Sequence, residues 1–334
     1  MTEASVLTCQ DGRVGRIRLN RPRALNALDV PMIRAITAAL QAWRDDPRIH
    51  AVVIEGTGER AFCAGGDIRA LRQHQLDGHR SLVDTFFLEE YALNRMIAAY
   101  PKPYVALIDG ICMGGGIGVS IYGAYRVATE HAMFAMPETA IGFFPDIGAT
   151  FFLPRLPGCL GTYLGLTGAR IHGADAVHAG FATHFTPRAD LARLSRELAQ
   201  DGIAALARHA APLPAFSLEA QRAAIDTIFA ADSVREILHR LASDSTDWAR
   251  ETTEALRTVS PSALAWTLRI LREGARRTLE QCLAAEFALT QTTMRHNDFI
   301  EGVRAMVVDK DRNPRWQPSR VEDVKDSDIA AMFG

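Results

Sequence analysis

The chain has 334 residues, of which 48% are hydrophobic and 23% charged, and its 37 basic and 39 acidic residues give a formal net charge of −2. This composition is typical of a folded globular protein, and it provides no general basic field to attract nucleic acid. The five cysteines form no CxxC pair, which argues against a disulfide framework or a structural zinc site. We therefore expect one large domain, or one domain with a smaller appendage, in a reducing compartment.

The N-terminal segment has neither the pattern of a secretory signal nor that of an organelle transit peptide. No uninterrupted apolar run reaches the roughly 18 to 20 residues that cross a bilayer. The sequence therefore predicts a cytoplasmic protein without a membrane partner.

Strand and helix patterns alternate in the first part of the chain. Residues Val14–Leu19 alternate apolar and polar side chains, which predicts a half-buried strand. Asp29 is a candidate N-cap with Pro31 in the first turn, so a helix follows. Short apolar runs at 51–54 and 104–108 predict buried parallel strands, 79–99 a helix and 125–128 another strand.

This order predicts an α/β fold with parallel strands and right-handed crossovers. Beyond about residue 188 Ala, Leu, Arg and Glu dominate, and the only further strand candidate is 306–308. Ser260 followed by Pro261 predicts the start of a helix. We place a boundary near 205, with a core over 1–205 and a helical C-terminal region over 206–334.

Two glycine-rich segments and two carboxylates suggest where chemistry takes place. Gly65-Gly66 and the triplet 114–116 allow a ligand to approach the backbone closely, although tight packing alone could also require them. The second segment does not complete GxGxxG, because position 121 is Ile. Glu138 and Asp146 follow about twenty residues later. Backbone N–H groups beside paired acids indicate oxyanion stabilisation with acid–base or acyl chemistry.

The segments AFCAGGD (61–67), PKPYVALIDGICMGGGIG (101–118) and FAMPETAIGFFPDIG (134–148), in this order and spacing, resemble the enoyl-CoA hydratase/isomerase (crotonase) superfamily. The resemblance implies a spiral of ββα turns with a helical C-terminal region, acting on acyl-CoA thioesters. It also implies that the backbone N–H groups of Gly66 and Gly115 form the oxyanion hole. Glu90, Ala64 and Asp67 are then expected to bind substrate.

One position departs from the hydratase pattern. Hydratases of this superfamily carry one catalytic glutamate three residues after the central glycine of the hole and a second at the PE position. Here the first position is Gly118, whereas Glu138 occupies the second. With Asp146 in a Phe-Pro-Asp segment, the chain resembles the 3-hydroxyisobutyryl-CoA hydrolase branch. Further blocks that fit this branch are 86–91, 151–156, 166–168, 182–184, 260–262, 298–305, 309–311 and 314–316.

The resemblance implies hydrolysis of 3-hydroxyisobutyryl-CoA, as in valine breakdown, with Glu138 as nucleophile or general base and Asp146 as its partner. We expect no metal or redox cofactor, since CoA enters as part of the substrate. A homo-oligomer, trimer or hexamer, is also expected.

Two alternatives remain at this stage. One is an enoyl-CoA hydratase or isomerase, in which Asp146 would replace the missing acid. The other is a non-catalytic member that binds acyl-CoA or RNA, but the net charge of −2 argues against the RNA version and the acid pair against a loss of catalysis.

Overall fold

The computed structural model describes residues 4–334. The strands in this part of the chain are short and lie in its first two thirds. They are β1 (Val6–Asp11), β2 (Val14–Leu19), β3 (Ala51–Gly56), β4 (Ala61–Cys63), β5 (Tyr104–Ile108), β6 (Ile111–Met113), β7 (Tyr125–Ala128), β8 (Met133–Ala135), β9 (Ile171–His172) and β10 (His184–Phe185).

Helices lie between the strands in the first part of the chain, and the elements after β10 are helical. They are α1 (Val30–Arg44), α2 (Ile68–Leu76), α3 (Arg80–Ala98), α4 (Gly115–Gly118), α5 (Ala149–Phe152), α6 (Leu160–Thr167), α7 (Asp175–Ala179), α8 (Arg188–Asp201), α9 (Ala205–His209), α10 (Arg222–Ile228), α11 (Val234–Ala242), α12 (Asp247–Thr258), α13 (Pro261–Gly274), α14 (Leu279–Thr293), α15 (Asn297–Val303) and α16 (Asp326–Met332).

Two sheets organise the strands. The larger has the order β1-β2-β3-β5-β7-β10, and apart from the antiparallel β1–β2 pair its neighbours run parallel. The smaller has the order β4-β6-β8-β9, and its β4–β6 and β6–β8 pairs are also parallel. Parallel neighbours separated by helices are the signature of an α/β fold, so the predicted class is confirmed.

The chain divides into two compact units, each assembled from separate segments. The first unit comprises 1–67, 88–135 and 170–217, and it holds both sheets. In its core the apolar side chains of alternate strand positions pack against α8. These buried residues include Val53, Val105, Val127, Leu194 and Leu198. Because the other face of the strands is buried too, the central strands consist almost entirely of apolar residues.

The second unit comprises 68–87, 136–169 and 218–334 and contains α10 to α16. Several of its helices begin at a side-chain cap: at α13 the Ser260 hydroxyl accepts from the Ala263 N–H, with Pro261 at the first helical position. The Thr278 and Gln281 side chains form a capping box at the start of α14. The caps fix where α13 and α14 start, and with them the side chains that α13 and α14 present inward.

Most of the predicted elements are confirmed, with one exception. Residues 306–308 are not a strand: they belong to a π-helical turn, Arg304–Val308, which continues α15. The compact units interleave along the chain and follow a different division from the one near residue 205, which stays a prediction. Within the described residues, no helix has both the length and the apolar character needed to cross a membrane.

Candidate active site

The loop after β4 contains backbone donors without an acceptor among the described residues, and they lie between two donors that are occupied. The Ala64 N–H donates to the Leu25 carbonyl (3.0 Å), and the Asp67 N–H donates to the Leu28 carbonyl (2.8 Å). The Gly66 N–H, which lies between them, has no hydrogen-bond acceptor within residues 4–334. It is therefore available to an oxygen atom of a ligand.

Gly115 lies beside this donor. The Gly66 nitrogen is 3.3 Å from the position that a Cβ on Gly115 would occupy, and Oε1 of Glu90 is closer still to that position. Glu90 is only 2% exposed, so it is not a solvated helix charge. Two glycine backbones and a buried carboxylate thus border one small space, which has the composition of an oxyanion hole with a polar group beside it.

The helix that starts at Gly115 is only one turn long. It spans only Gly115–Gly118, and Gly114 provides no side-chain cap. A macrodipole needs several aligned peptide units, so a single turn adds little positive potential. If an oxygen binds here, the individual N–H groups have to supply the hydrogen bonds.

Ala64 and Asp67, the other two predicted site residues in the loop after β4, have structural partners. The Asp67 carboxylate forms an ion pair with Arg21 (3.1 Å), which also pairs with Asp29 at the start of α1 (3.2 Å). This pairing ties the loop to the segment before α1. A substrate-binding role for Ala64 and Asp67 stays a prediction.

Glu138 lies in the other compact unit, at the start of a 3₁₀ turn, Glu138–Ile141. It is 7% exposed, and its Oε2 has no hydrogen-bond partner among the described residues. Burial raises the pKa of Glu138 well above the ordinary carboxyl value, and the negative charge of Asp146 raises it further. A buried carboxyl group with a raised pKa binds and releases its proton at a higher pH than an ordinary one, and perturbed pKa values of this kind are common among catalytic carboxyl groups.

The turn that carries Glu138 is held by the C-terminal helices of the same unit. The Ser260 N–H donates to the Thr139 carbonyl (3.1 Å), and the Ser260 hydroxyl donates to the Asp298 carboxylate (2.5 Å). Gly142 closes the turn at φ 66° against the backbone of Asp298, where a Cβ would collide. Position 142 therefore requires glycine for both its conformation and its space.

Asp146 lies at the other end of the same loop and is also 7% exposed. The next residue, Ile147, is fully buried with φ 57°, a left-handed conformation that is rare for a β-branched side chain. The carboxylate of Glu286, on α14, accepts hydrogen bonds from the turn that follows. Sequence reasoning missed Glu286, although it interrupts a buried helical stripe that includes Leu283 and Leu289.

Two buried thiols are poor rivals for the carboxylates. Burial raises the pKa of Cys63 to about 12 and that of Cys112 well above the usual thiol value. Both stay protonated at neutral pH and are weak nucleophiles. Among the described residues, no group of three or more His, Cys, Asp or Glu side chains is arranged to hold a metal ion.

A comparison with known families decides the relationship. The sequence model described as enoyl-CoA hydratase/isomerase matches residues 14–333, nearly the whole chain. The chain belongs to the enoyl-CoA hydratase/isomerase family. Among curated relatives, the 3-hydroxyisobutyryl-CoA hydrolase, mitochondrial, of Xenopus tropicalis is 45% identical over 99% of this chain and 89% of its own. The protein of the same name from Homo sapiens is 44% identical over 98% and 88%.

Solved structures of enoyl-CoA hydratase/isomerase relatives confirm the predicted crotonase-like fold. A carnitinyl-CoA dehydratase from Mycobacterium thermoresistibile superposes with a TM-score of 0.96 at 40% identity, covering 99% of this chain and 97% of that one. An enoyl-CoA hydratase from Rhodobacter sphaeroides gives 0.92 at 41% identity with the same coverage.

The buried acids of this family member predict a pH-dependent stability. Burial raises the pKa of Glu286 to about 8, with the Asp146 charge contributing. The folded state thus keeps a proton that the unfolded chain releases, so this stabilisation is complete below the ordinary carboxyl pKa and is lost as pH rises towards 8. We expect the free energy of unfolding to fall by about 1 kcal/mol per pH unit from this group alone.

Urea unfolding at several values between about pH 5 and pH 7.5 measures this slope. E286Q removes the titrating group, so its slope should be smaller than that of the wild type. E280Q changes an exposed glutamate of the same helix and should keep the wild-type slope. An E286Q protein with the full slope would show that Glu286 does not titrate in this range.

Proposed function

We propose that this protein is an acyl-CoA thioester hydrolase that converts 3-hydroxyisobutyryl-CoA and water to 3-hydroxyisobutyrate and free CoA. The proposal is supported by the family and by curated relatives of that name at 44–45% identity over nearly the whole chain. The chemistry of the described residues supports it independently.

The observation that carries the proposal is the residue at position 118. Gly118 ends α4, three residues after Gly115, and it is buried with no side chain to move a proton. Addition of water across a double bond needs a base that takes a proton from the attacking water and an acid that protonates the other carbon of the double bond. Attack on a thioester carbonyl needs a nucleophile or a base together with donors for the oxygen. The residues present meet the second requirement.

In the proposed reaction the N–H groups of Gly66 and Gly115 bind the thioester oxygen as it becomes negative. Ionised Glu138 either attacks the carbonyl carbon to give an anhydride, which water then opens, or takes a proton from the attacking water. The C–S bond breaks in either route, and CoA leaves as the thiolate. Glu90, whose carboxylate lies beside Gly115, would accept a hydrogen bond from the 3-hydroxyl of the substrate.

A hydratase is the second candidate, since two solved relatives at 40–41% identity bear hydratase and dehydratase titles. Those titles and the names of the curated relatives disagree about the reaction. We favour the hydrolase because Gly118 cannot supply the second acid. The hydratase would require Asp146 to take that role.

Thiol release from 3-hydroxyisobutyryl-CoA, followed with a thiol reagent, tests the proposal when crotonyl-CoA hydration is measured in parallel. We expect fast release of CoA and negligible loss of the enoyl absorbance. Hydration of crotonyl-CoA without release of thiol would overturn the hydrolase and favour the hydratase.

The pH profile of thiol release should depend on Asp146. Both proposed routes use ionised Glu138, whose pKa is raised by burial and by the Asp146 charge. We therefore expect kcat/KM to rise with pH, and we expect the midpoint of this rise to lie above the usual pKa of a carboxyl group. D146N removes the second cause, so the rise should move to lower pH, whatever the loss of maximal rate.

This profile is measured as kcat/KM against pH at constant ionic strength. D328N, which changes an exposed aspartate of α16, is the matched control and should leave the profile unmoved. A D146N profile that coincides with the wild type would mean that Asp146 exerts no charge effect on Glu138.

We also propose that the reaction uses no metal or redox cofactor, because the carboxylate and the N–H donors supply the base and the electrophilic assistance. Dialysis against EDTA should leave kcat unchanged. A loss of rate that returns with a divalent cation would contradict this.

The setting in the cell remains part of the proposal. A cytoplasmic location is our expectation from the sequence, whereas the curated relatives are named mitochondrial. Fractionation of the source cells, with the protein followed by antibody, decides between the two. A role in valine breakdown follows only if the substrate is correct. A trimer or hexamer is proposed from the resemblance, and light scattering of the purified protein tests it.

A further inference from the structure

A fully buried carboxylate on α14 binds the turn next to Asp146. Oε2 of Glu286 accepts from the Gly148 N–H (2.6 Å), and Oε1 accepts from the N–H (3.0 Å) and hydroxyl (2.6 Å) of Thr150. Glu286 is 0% exposed. Burying an acid is unfavourable unless its oxygens are hydrogen-bonded, and here all three donors belong to one turn of chain. The side chain is therefore used to fix that turn.

The turn contains a conformation that needs external support. Ile147 separates Asp146 from Gly148 and has φ 57°, while its β-branched side chain is completely buried. Such conformations persist only when the surrounding structure imposes them, and they are found mainly where a functional side chain must be aimed. Glu286 binds Gly148, the residue directly after Ile147, so it is placed to impose the left-handed conformation of Ile147.

The two ends of the Glu138–Thr150 loop are held by different side chains. Ser260 and Asp298 secure the turn that carries Glu138. Glu286 secures the turn that follows Asp146, since the Gly148 N–H that it accepts from lies two residues after Asp146 in the chain. A change at Glu286 should thus disturb Asp146 and leave the Glu138 end in place.

We propose that Glu286 is a positioning residue for Asp146: by holding Gly148 and Thr150 it fixes the left-handed turn at Ile147 and with it the direction of the Asp146 carboxylate. The consequence for catalysis rests on the proposed hydrolase function. Glu286 itself does not touch the substrate in this scheme.

A double-mutant cycle on kcat/KM tests the proposal. In E286Q the amide nitrogen must face either the Gly148 or the Thr150 N–H, so one anchor is lost. We expect kcat/KM for thiol release to fall about tenfold or more, since leaving a buried N–H donor without its partner has roughly this effect. In a D146N background, E286Q should lower kcat/KM by less than about twofold, because the Asp146 carboxylate that Glu286 is proposed to position is already absent. Equal losses in both backgrounds would overturn the positioning role.

Thr150 offers a milder version of the experiment. T150V removes the hydroxyl that donates to Glu286 and keeps the shape, whereas T150S keeps the hydroxyl. T150V should lose activity in the same direction as E286Q, and T150S should retain it. E280Q, an exposed glutamate of α14, is the control for the helix and should match the wild type.

Amide hydrogen exchange gives a readout that does not depend on the reaction. The Gly148 and Thr150 amides should be protected in the wild type and exchange faster in E286Q, while the Gly142 amide, which donates to Thr139, stays protected in both. Unchanged exchange at Gly148 would overturn the inference even if the protein is a hydrolase. A wild type that releases no thiol but shows the exchange effect would overturn the function and leave the anchoring intact.

Discussion

Replacing Glu138 with glutamine should lower kcat for thiol release by about 100-fold to 10,000-fold, the usual range for loss of a positioned base or nucleophile. The neutral amide neither attacks a carbonyl nor accepts a proton from water. The shape of the side chain is kept, and Oε2 of Glu138 has no hydrogen-bond partner to lose within the described residues. We therefore expect the fold to persist and the defect to lie in the chemical step.

Three measurements on E138Q separate the chemistry from folding and binding. Thiol release gives kcat, urea unfolding gives the stability, and titration calorimetry with a CoA thioester gives the affinity. We expect only the first to change greatly, because the proposed oxygen donors, Gly66 and Gly115, are untouched. E254Q, an exposed glutamate of α12, serves as the control. An E138Q protein that turns over at the wild-type rate would remove Glu138 from the mechanism.

The sequence predicts local structure well where the cause is local. The strand Val14–Leu19 was expected at its observed bounds from its alternating side chains, but the expectation that it is half-buried was wrong, because Arg16 is only 2% exposed and Arg18 alone is exposed. Asp29 was identified as a cap because the hydrogen bond involved is local: the Met32 N–H donates to the Asp29 carboxylate, within four residues of chain. The assignment of Gly66 and Gly115 as oxygen donors has a different origin: it follows from the family resemblance and stays a prediction.

What the sequence missed depends on distant contacts. Glu286 is an acid in a helix, which by itself is typical of a solvated surface, and only its burial against the 148–150 turn reveals another use. The spacing of Glu138 and Asp146 suggests that their charges interact, but the larger cause of the raised pKa of Glu138 is burial, which spacing does not measure. The apolar run 306–308 favours a strand by composition, yet it pairs with none of the strands in residues 4–334 and instead continues α15 as a π-helical turn. Tertiary context overrode local preference there.

The second large effect is expected at Gly115, where alanine should block the proposed oxyanion hole without unfolding the protein. A Cβ at this position would lie 3.3 Å from the Gly66 nitrogen and would collide with Oε1 of Glu90. It would fill the space in which the thioester oxygen is proposed to sit. Loss of one oxyanion donor lowers kcat by about 100-fold to 1,000-fold, and we expect kcat/KM for G115A to fall at least this far.

Stability should change less in G115A than at a packing glycine because the worst collision, with Oε1 of Glu90, involves the end of a flexible side chain, whereas Leu28 Cδ1 (3.2 Å) and the Gly66 nitrogen (3.3 Å) need to shift by only a few tenths of an ångström. The Glu90 carboxylate can rotate aside, and Gly115 is helical, so alanine suits its backbone. The neighbouring glycine behaves differently. A Cβ on Gly116 would collide with the backbone carbonyl of Cys63, which cannot move without shifting β4. We expect G116A to lower the free energy of unfolding by about 1–3 kcal/mol, as overpacking usually does.

The G115A and G116A pair therefore separates a site glycine from a packing glycine one residue apart. Urea unfolding and thiol release on both proteins should show G115A folded and nearly inactive, and G116A destabilised. If G115A kept full activity, the thioester oxygen could not occupy the space between Gly115 and Gly66, and the donors would have to be sought elsewhere. If G115A were instead as unstable as G116A, its lost activity would say nothing about an oxyanion. Only the combination of a stable fold and a lost rate assigns the Gly115 backbone to the chemistry.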